Sequence, residues 1–184
     1  MRTDVTKAID FERVIASAYY NRGNAHVKQR DLRAALVDYS KAIELDPTFA
    51  AAYYNRANAY ARQSDHPAAL ADYSKAIELD PTLAAAYYNR GNSYARLKDY
   101  PAALADYSKA IELDRGDALP AYNMACTYAL QNNIRQACHW LRHAGKLDRK
   151  YVAMVRTDSD FETICEVPEL QSLLKEFEGP LKNV

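Results

Sequence analysis

Asparagine recurs along this chain at a fixed interval. Asn21, Asn55, Asn89 and Asn123 lie 34 residues apart, and Asn24, Asn58 and Asn92 follow three residues after the first three of them. A carboxamide both donates and accepts hydrogen bonds, so a row of them can hold the N–H and C=O groups of an extended peptide without reading its side chains. Asparagine is a mediocre helix former, so repeated use in mid-helix implies either that role or bonds to neighbouring helices that set the repeat geometry. On the first of these readings, Asn55→Ala with Asn89→Ala weakens binding and leaves melting nearly unchanged. Tyr20, Tyr54, Tyr88 and Tyr122 directly precede the first row. They offer shelves for apolar or proline side chains, or packing between units. Lys28, Arg62 and Arg96 add a cation at the same interval, which would attract an acidic guest.

Other chemistry is sparse. His139 and His143 are one helical turn apart with Cys138 adjacent, but no further ligand is placed to complete a metal site, so no metal and no cofactor are expected. His26 and His66 read as structural, and Cys126 as a free thiol with nothing nearby to lower its pKa. No glycine-rich phosphate loop or nucleophile–base motif is present, so the chain does not read as an enzyme. Its 184 residues carry a formal net charge of zero, which argues against a strong attraction to nucleic acid or an anionic membrane. Three cysteines without paired spacing suit a reducing compartment. The start, MRTDVTKAID, has no apolar segment of the secretory kind, and no long uncharged apolar run follows, so a cytoplasmic protein is expected.

The elements that must position these residues follow from the period itself. Ala50–Ala57 (AAAYYNRA) returns as Ala84–Gly91 (AAAYYNRG), and the stretch from Asp38 to Asp46 returns from Asp72 and from Asp106. A period of this length signals a solenoid, each unit burying its apolar face on its neighbours. Tyr19, Gly23 and His26 have the i, i+4, i+7 spacing of one helix, and Ala35, Tyr39 and Ala42 that of a second. Small residues at Gly23 and Ala35 allow close approach. Asp31, Asp65 and Asp99 stand where the second helices start, with Pro67 and Pro101 in the first turn. Asp46-Pro47 and Asp80-Pro81 are expected to close one unit and cap the next helix. At the third junction Gly116 is expected to stop a helix and Asp117 to cap the next.

Gly or Ala, Tyr, Ala, Tyr, Ala and Pro at these offsets resemble the tetratricopeptide repeat, a helix–turn–helix unit of the same length. Residues 16–49, 50–83 and 84–117 match closely, and 118–151 form a divergent fourth unit that keeps Ala125, Tyr128, Ala137 and Ala144 in phase. Arg22, Arg56 and Arg90 replace the usual leucine; their stems are expected to pack and their heads to reach water. Residues 1–15 read as a partial repeat: Thr6-Lys7-Ala8-Ile9-Asp10 aligns with Ser40-Lys41-Ala42-Ile43-Glu44. Its apolar Ile9, Phe11, Val14 and Ile15 are expected to fold down as a cap, or else to stack on another chain. Residues 152–184 resemble the closing segment of bacterial members, with two short helices marked by Asp160 and Pro168 whose leucines cover the last repeat, so the chain reads as finished there.

The resemblance implies an all-α, right-handed solenoid whose first helices line a concave groove. Arg22, Lys28, Arg56, Arg62, Arg90 and Arg96 would make that groove basic. Asp38, Glu44, Asp72, Glu78, Asp106 and Glu112 would make the outer wall acidic. The asparagine rows resemble the ladder of other tetratricopeptide superhelices. One subfamily clamps the acidic C-termini of chaperones with three cations, but Tyr20, Ala85 and Asn89 stand at those places here, so that binding is not expected. The function read from the sequence is a non-enzymatic scaffold that binds an extended, acidic segment of a protein partner. Self-assembly as a homo-oligomer through the partial repeat is the alternative. RNA binding ranks lowest, because the net charge is zero.

Overall fold

A computed structural model describes residues 4–178, with side chains from Phe11 onward. The described residues form helices and turns, with no strand among them. They fall into two compact units. The first extends to Leu97 and contains α1 (Asp4–Lys28), α2 (Leu32–Leu45), α3 (Ala50–Arg62), α4 (His66–Leu79) and α5 (Ala84–Arg96). The second starts at Lys98 and contains α6 (Tyr100–Leu113), α7 (Leu119–Leu130), α8 (Ile134–Leu147), α9 (Lys150–Met154), a 3-10 turn (Ser159–Ile164) and α10 (Pro168–Glu178). The fold is the all-α repeat fold expected from the sequence.

Within the first unit α1 pairs with α2 and α3 with α4, while α2 on α3 and α4 on α5 join the pairs. Tyr39 and Tyr73 are among the largest fully buried side chains, beside the fully buried Ala35 and Ala69. The tyrosine ring leaves no room opposite it: a Cβ on Gly23 would lie 2.7 Å from Tyr39 Cε1. This is the close approach the small residues were expected to permit.

Each second helix starts as predicted. Asp31, Asp65 and Asp99 accept from the backbone N–H of Ala34, Ala68 and Ala102 at 3.0, 3.2 and 3.2 Å. Asn133 does the same for α8 through Gln136 N–H at 3.3 Å. Just before these caps, Arg30, Ser64, Lys98 and Asn132 take left-handed φ angles of 63°, 63°, 62° and 55°. That conformation favours glycine, yet none of the four is glycine.

Three expectations need correction. Asp46 and Asp80 do not cap the next helix. Each carboxylate folds its own turn, accepting from the N–H and hydroxyl of Thr48 (3.0 and 2.6 Å) or Thr82 (3.0 and 2.7 Å). Gly116 is not a left-handed stop, since no glycine has positive φ among the described residues. Its N–H donates to Asp114, and Asp117 accepts from Leu119 N–H at 2.9 Å. Residues 1–15 do not end in a break before the first repeat: α1 runs unbroken through them from Asp4. The reason lies in register. Where Asp46-Pro47-Thr48 makes a turn, the aligned residues are Glu12-Arg13-Val14, with neither the proline nor the threonine donor. The apolar residues do not fold down as a cap either, since Phe11 and Val14 are each 66 % exposed. Ile9 lies outside the residues whose side chains are described.

In the second unit the closing segment packs on the fourth repeat. Leu170, Leu173 and Leu174 join Leu141, Phe161 and Ile164 in one core. Asp158, rather than Asp160, caps the 3-10 turn, accepting from Asp160 N–H at 3.0 Å. Gly145 admits Val152 and Phe177 so closely that a Cβ would strike both.

Candidate functional site

The residues singled out by spacing lie on α1, α3 and α5 of the first unit, with Tyr122 and Asn123 on α7 of the second. Their chemistry divides into groups consumed by the scaffold and groups left over.

The repeating arginines are consumed. Arg22 grips Asp38 with both arms of its guanidinium, Nε to Oδ2 at 2.7 Å and Nη2 to Oδ1 at 2.6 Å. Arg56 holds Asp72 the same way at 2.7 and 2.8 Å, and its Nη1 donates to Ser40 Oγ at 3.0 Å. Arg90 donates to Ser74 Oγ at 3.0 Å. The aspartates are interior, with 3 % of the Asp38 side chain exposed, and Arg56 is only 18 % exposed. The expected arginine heads in water therefore do not hold for Arg56, while the Arg22 side chain stays 61 % exposed even as it grips Asp38. A bidentate fork to a carboxylate is the geometry guanidinium favours, and it ties α1 to α2 and α3 to α4. Hydrogen bonding by Arg22 holds the Asp38 carboxyl below its usual range, against the upward push of burial. The remaining acids of the second helices, Glu44, Glu78 and Glu112, pair with Lys41, Lys75 and Lys109 one turn away.

The asparagines are half consumed. Asn55 Nδ2 donates to the Tyr20 hydroxyl at 3.0 Å and to Asn24 Oδ1 at 2.9 Å. Asn89 Nδ2 repeats this on Tyr54 (3.0 Å) and Asn58 Oδ1 (3.1 Å). Asn24 and Asn58 also accept from the hydroxyls of Tyr39 and Tyr73 at 2.7 Å. Burial pushes the Tyr39 hydroxyl up to about 12 and Tyr73 higher still, so both remain donors. These bonds connect successive repeats, so Asn55→Ala and Asn89→Ala are expected to lower melting rather than leave it unchanged. What remains unengaged among the described residues is the Nδ2 of Asn24 and Asn58 and the Oδ1 of Asn55 and Asn89. Asn21, with no repeat before it, is exposed.

The tyrosine shelves are also partly scaffold. Tyr20 packs on Phe49 with ring centroids 4.8 Å apart, and Tyr54 lies 6.1 Å from Tyr73. Tyr88 is half-buried on α5 beside Asn92 in the same helix. Tyr122 is core: its hydroxyl donates to Asp158 at 2.5 Å and its ring meets Tyr151 at 5.1 Å.

Lys28, Arg62 and Arg96 are left over. All three are exposed, and none is in an ion pair among the described residues. Two hollows of about 410 and 420 Å³ lie against them. The first brings Lys28 and Arg62 together with Asn24 and Asn55. The second brings Arg62 and Arg96 together with Asn58 and Asn89. His66 also lines the second, and its Nδ1 is buried without a hydrogen-bond partner among the described residues.

Elsewhere, His139 and His143 flank Trp140 edge-on at 5.2 and 5.7 Å. The sequence reading missed a cluster of Cys126, Asp158 and Asp160, whose ligand atoms lie within 4.8 Å of one another. The Cys126 thiol donates to Asp158 at 3.8 Å, and burial followed by the charge of Asp158 raises its pKa, so it stays a thiol. It ties the 3-10 turn to α7.

Comparison with known proteins leads to the same unit. The model of the tetratricopeptide repeat matches residues 16–49, 50–83 and 84–117. No curated protein matches the chain significantly. Among solved structures, MamA is 19 % identical, covering 84 % of this chain and 89 % of that one, with a TM-score of 0.74. YrrB, described as a TPR protein with an unusual peptide-binding site, is 23 % identical over 95 % of this chain and 89 % of that one, with a TM-score of 0.73. The first TPR of Spaghetti (RPAP3), bound to the HSP90 peptide SRMEEVD, is 26 % identical over 67 % of this chain and 90 % of that one, with a TM-score of 0.57.

Proposed function

Since the chain belongs to the tetratricopeptide repeat family, a family of protein-interaction scaffolds without catalysis of their own, we propose that its first unit holds an extended, acidic segment of a partner protein. Lys28, Arg62 and Arg96 attract the acidic side chains. Asn24 and Asn58 donate to backbone carbonyls, and Asn55 and Asn89 accept from backbone N–H groups. Tyr54 and Tyr88 bound the strip, and Asn21 and Asn92 continue its row within the first unit. The observation that carries this reading is the leftover charge: these cations recur in the first three repeats outside any ion pair among the described residues, while Arg22 and Arg56, six residues before Lys28 and Arg62, are tied to aspartate.

The HSP90 peptide bound by Spaghetti contains three acidic residues, so the family fold accommodates such a guest. This chain has Tyr20, Ala85 and Asn89 where the chaperone-tail clamp places cations, so an internal acidic segment fits it better than a chaperone terminus. The test is a peptide array graded in Asp and Glu content and probed with the full chain. Signal should rise with acidity and fall with salt. The Lys28→Gln, Arg62→Gln, Arg96→Gln triple variant should keep its helicity and lose the signal. A triple variant that binds as well as the parent would overturn the proposal.

A further inference from the structure

The two hollows of the first unit follow one repeating design with two departures. Lys28 and Asn55 of the first become Arg62 and Asn89 of the second, one period on. Where the first is lined by Ala59, the second is lined by Ser93. His66 also lines the second, and the residue one period before it is Leu32, which does not line the first. Both departures put a polar side chain where the preceding repeat has an apolar one, and both fall in the same hollow.

Neither added group is used by the scaffold. Ser93 is 1 % exposed, and its hydroxyl makes no hydrogen bond among the described residues. Ser74 and Ser108, by contrast, return theirs to the carbonyls of Leu70 and Leu104, one turn back. His66 Nδ1 is buried and equally without a partner among the described residues. The adjacent Asp65 is turned to the N–H of Ala68. A buried polar group left unpaired is costly, so two of them beside one hollow point to a ligand.

The charge of the hollow indicates which ligand. Arg62 and Arg96 line it from successive first helices, and no carboxylate is among its described lining residues. Burial raises the pKa of the Tyr73 hydroxyl there and the charge of Arg62 opposes that rise, so the field of the guanidinium reaches into the hollow. Two guanidinium forks, a hydroxyl and an imidazole N–H are more donors than the two oxygens of a carboxylate can use. A phosphate monoester offers three oxygens and a charge of about −1.5 to −2, which two arginines match. We infer that the second hollow takes the phosphate of a phosphorylated serine or threonine in the partner segment. This rests on the reading of the groove as a peptide site. Arg62 and Arg96 hold the phosphate oxygens, Ser93 donates its hydroxyl, and His66 donates from Nδ1. The first hollow, with Lys28 and Ala59 at the matching places, is left to carboxylates.

The experiment is fluorescence anisotropy with the full chain and an acidic peptide in which each position in turn is serine, glutamate or phosphoserine. At one position the phosphoserine peptide should bind about tenfold tighter than the serine peptide, and tighter than the glutamate peptide. Ser93→Ala and His66→Leu supply the residues that the preceding repeat carries at those registers, and circular dichroism checks that the helices are kept. The double variant should lose the preference for phosphoserine over glutamate and bind the glutamate peptide as the parent does. Single-stranded RNA should compete no better than the serine peptide. If the acidic peptides bind and phosphoserine adds nothing at any position, or the double variant keeps the preference, the inference is overturned while the peptide reading stands. If none of the peptides binds, both fall. RNA that competes as well as the phosphoserine peptide would overturn the inference in favour of a nucleic-acid phosphate.

Discussion

Asn55→Ala and Asn21→Ala are one substitution made at one register, and their consequences should differ. Asn55 donates to Tyr20 and Asn24 across the boundary between repeats, at 3.0 and 2.9 Å. Truncation strands neither acceptor: Asn24 Oδ1 keeps the Tyr39 hydroxyl at 2.7 Å, and the half-buried Tyr20 hydroxyl can turn to water. The loss is then the net worth of two hydrogen bonds, about 1 kcal/mol each. Alanine regains roughly 0.5 kcal/mol as the better helix former. The balance is a loss of about 1.5 kcal/mol, equivalent to about 6–12 °C in melting for a unit of this size. Asn21 is exposed and makes no such bond among the described residues, so Asn21→Ala should be neutral or slightly stabilising. Far-UV circular dichroism follows all helices, whereas Trp140, the one tryptophan, lies in the second unit and reports on that unit. The Asn55→Ala shift should appear in the dichroism and not in the tryptophan emission. Equal melting of the two variants would refute the argument, because the amide bonds between repeats would then contribute nothing net.

Four further outcomes follow from the same geometry. Ser64→Gly relieves a left-handed residue at φ 63° and should stabilise the first unit by about 0.5–1 kcal/mol in urea titrations. Gly145→Ala drives a methyl into Val152 and Phe177; overpacking of this kind costs about 1–3 kcal/mol, read as a lower urea midpoint for Trp140 emission. Arg22 depresses the Asp38 pKa in the folded state. A depressed carboxyl contributes stability above its ordinary value near 4 and loses it as pH falls through the folded value. Arg22→Met should therefore flatten the acid limb of a plot of urea midpoint against pH. Alkylation of the native chain at neutral pH should label the half-exposed Cys165 and spare the buried Cys126 and Cys138 until the chain unfolds, followed by mass spectrometry.

The fold was legible because the features that build it survive copying in place. Apolar spacing, the Asp31 class of caps and the Gly23–Tyr39 contact all recur at the period, and a recurring pattern can be read without coordinates. The left-handed residues were not legible, since Arg30, Ser64 and Lys98 share a position and no residue type that signals it. The run of α1 through residues 10–15 was missed for the opposite reason. The sequence there resembles a repeat boundary in its apolar residues, but it lacks the two groups, Pro47 and Thr48, that make the boundary turn. The knot of Tyr122, Cys126 and Asp158 joins two residues of the fourth unit to one more than thirty residues on and outside the repeats, where spacing carries no information.

The charges give the sharper lesson. Arg22 and Lys28 look alike in the sequence: both are cations on a first helix and both recur every 34 residues. Each even has a carboxylate sixteen residues on, Asp38 and Glu44, but Asp38 is held by Arg22 whereas Glu44 pairs with Lys41 on its own helix. In the second repeat the acids can be followed one by one. Asp65 caps α4, Asp72 is held by Arg56, Glu78 by Lys75, and Asp80 folds its turn around Thr82. Each of these carboxylates is committed within the repeat, and Arg62 is the repeating cation that none of them neutralises. Copying such a unit preserves both halves of an internal pair, so conserved spacing alone says nothing about guests. A cation left outside those internal pairs, as Arg62 is, is the group that the proposed acidic guest would meet.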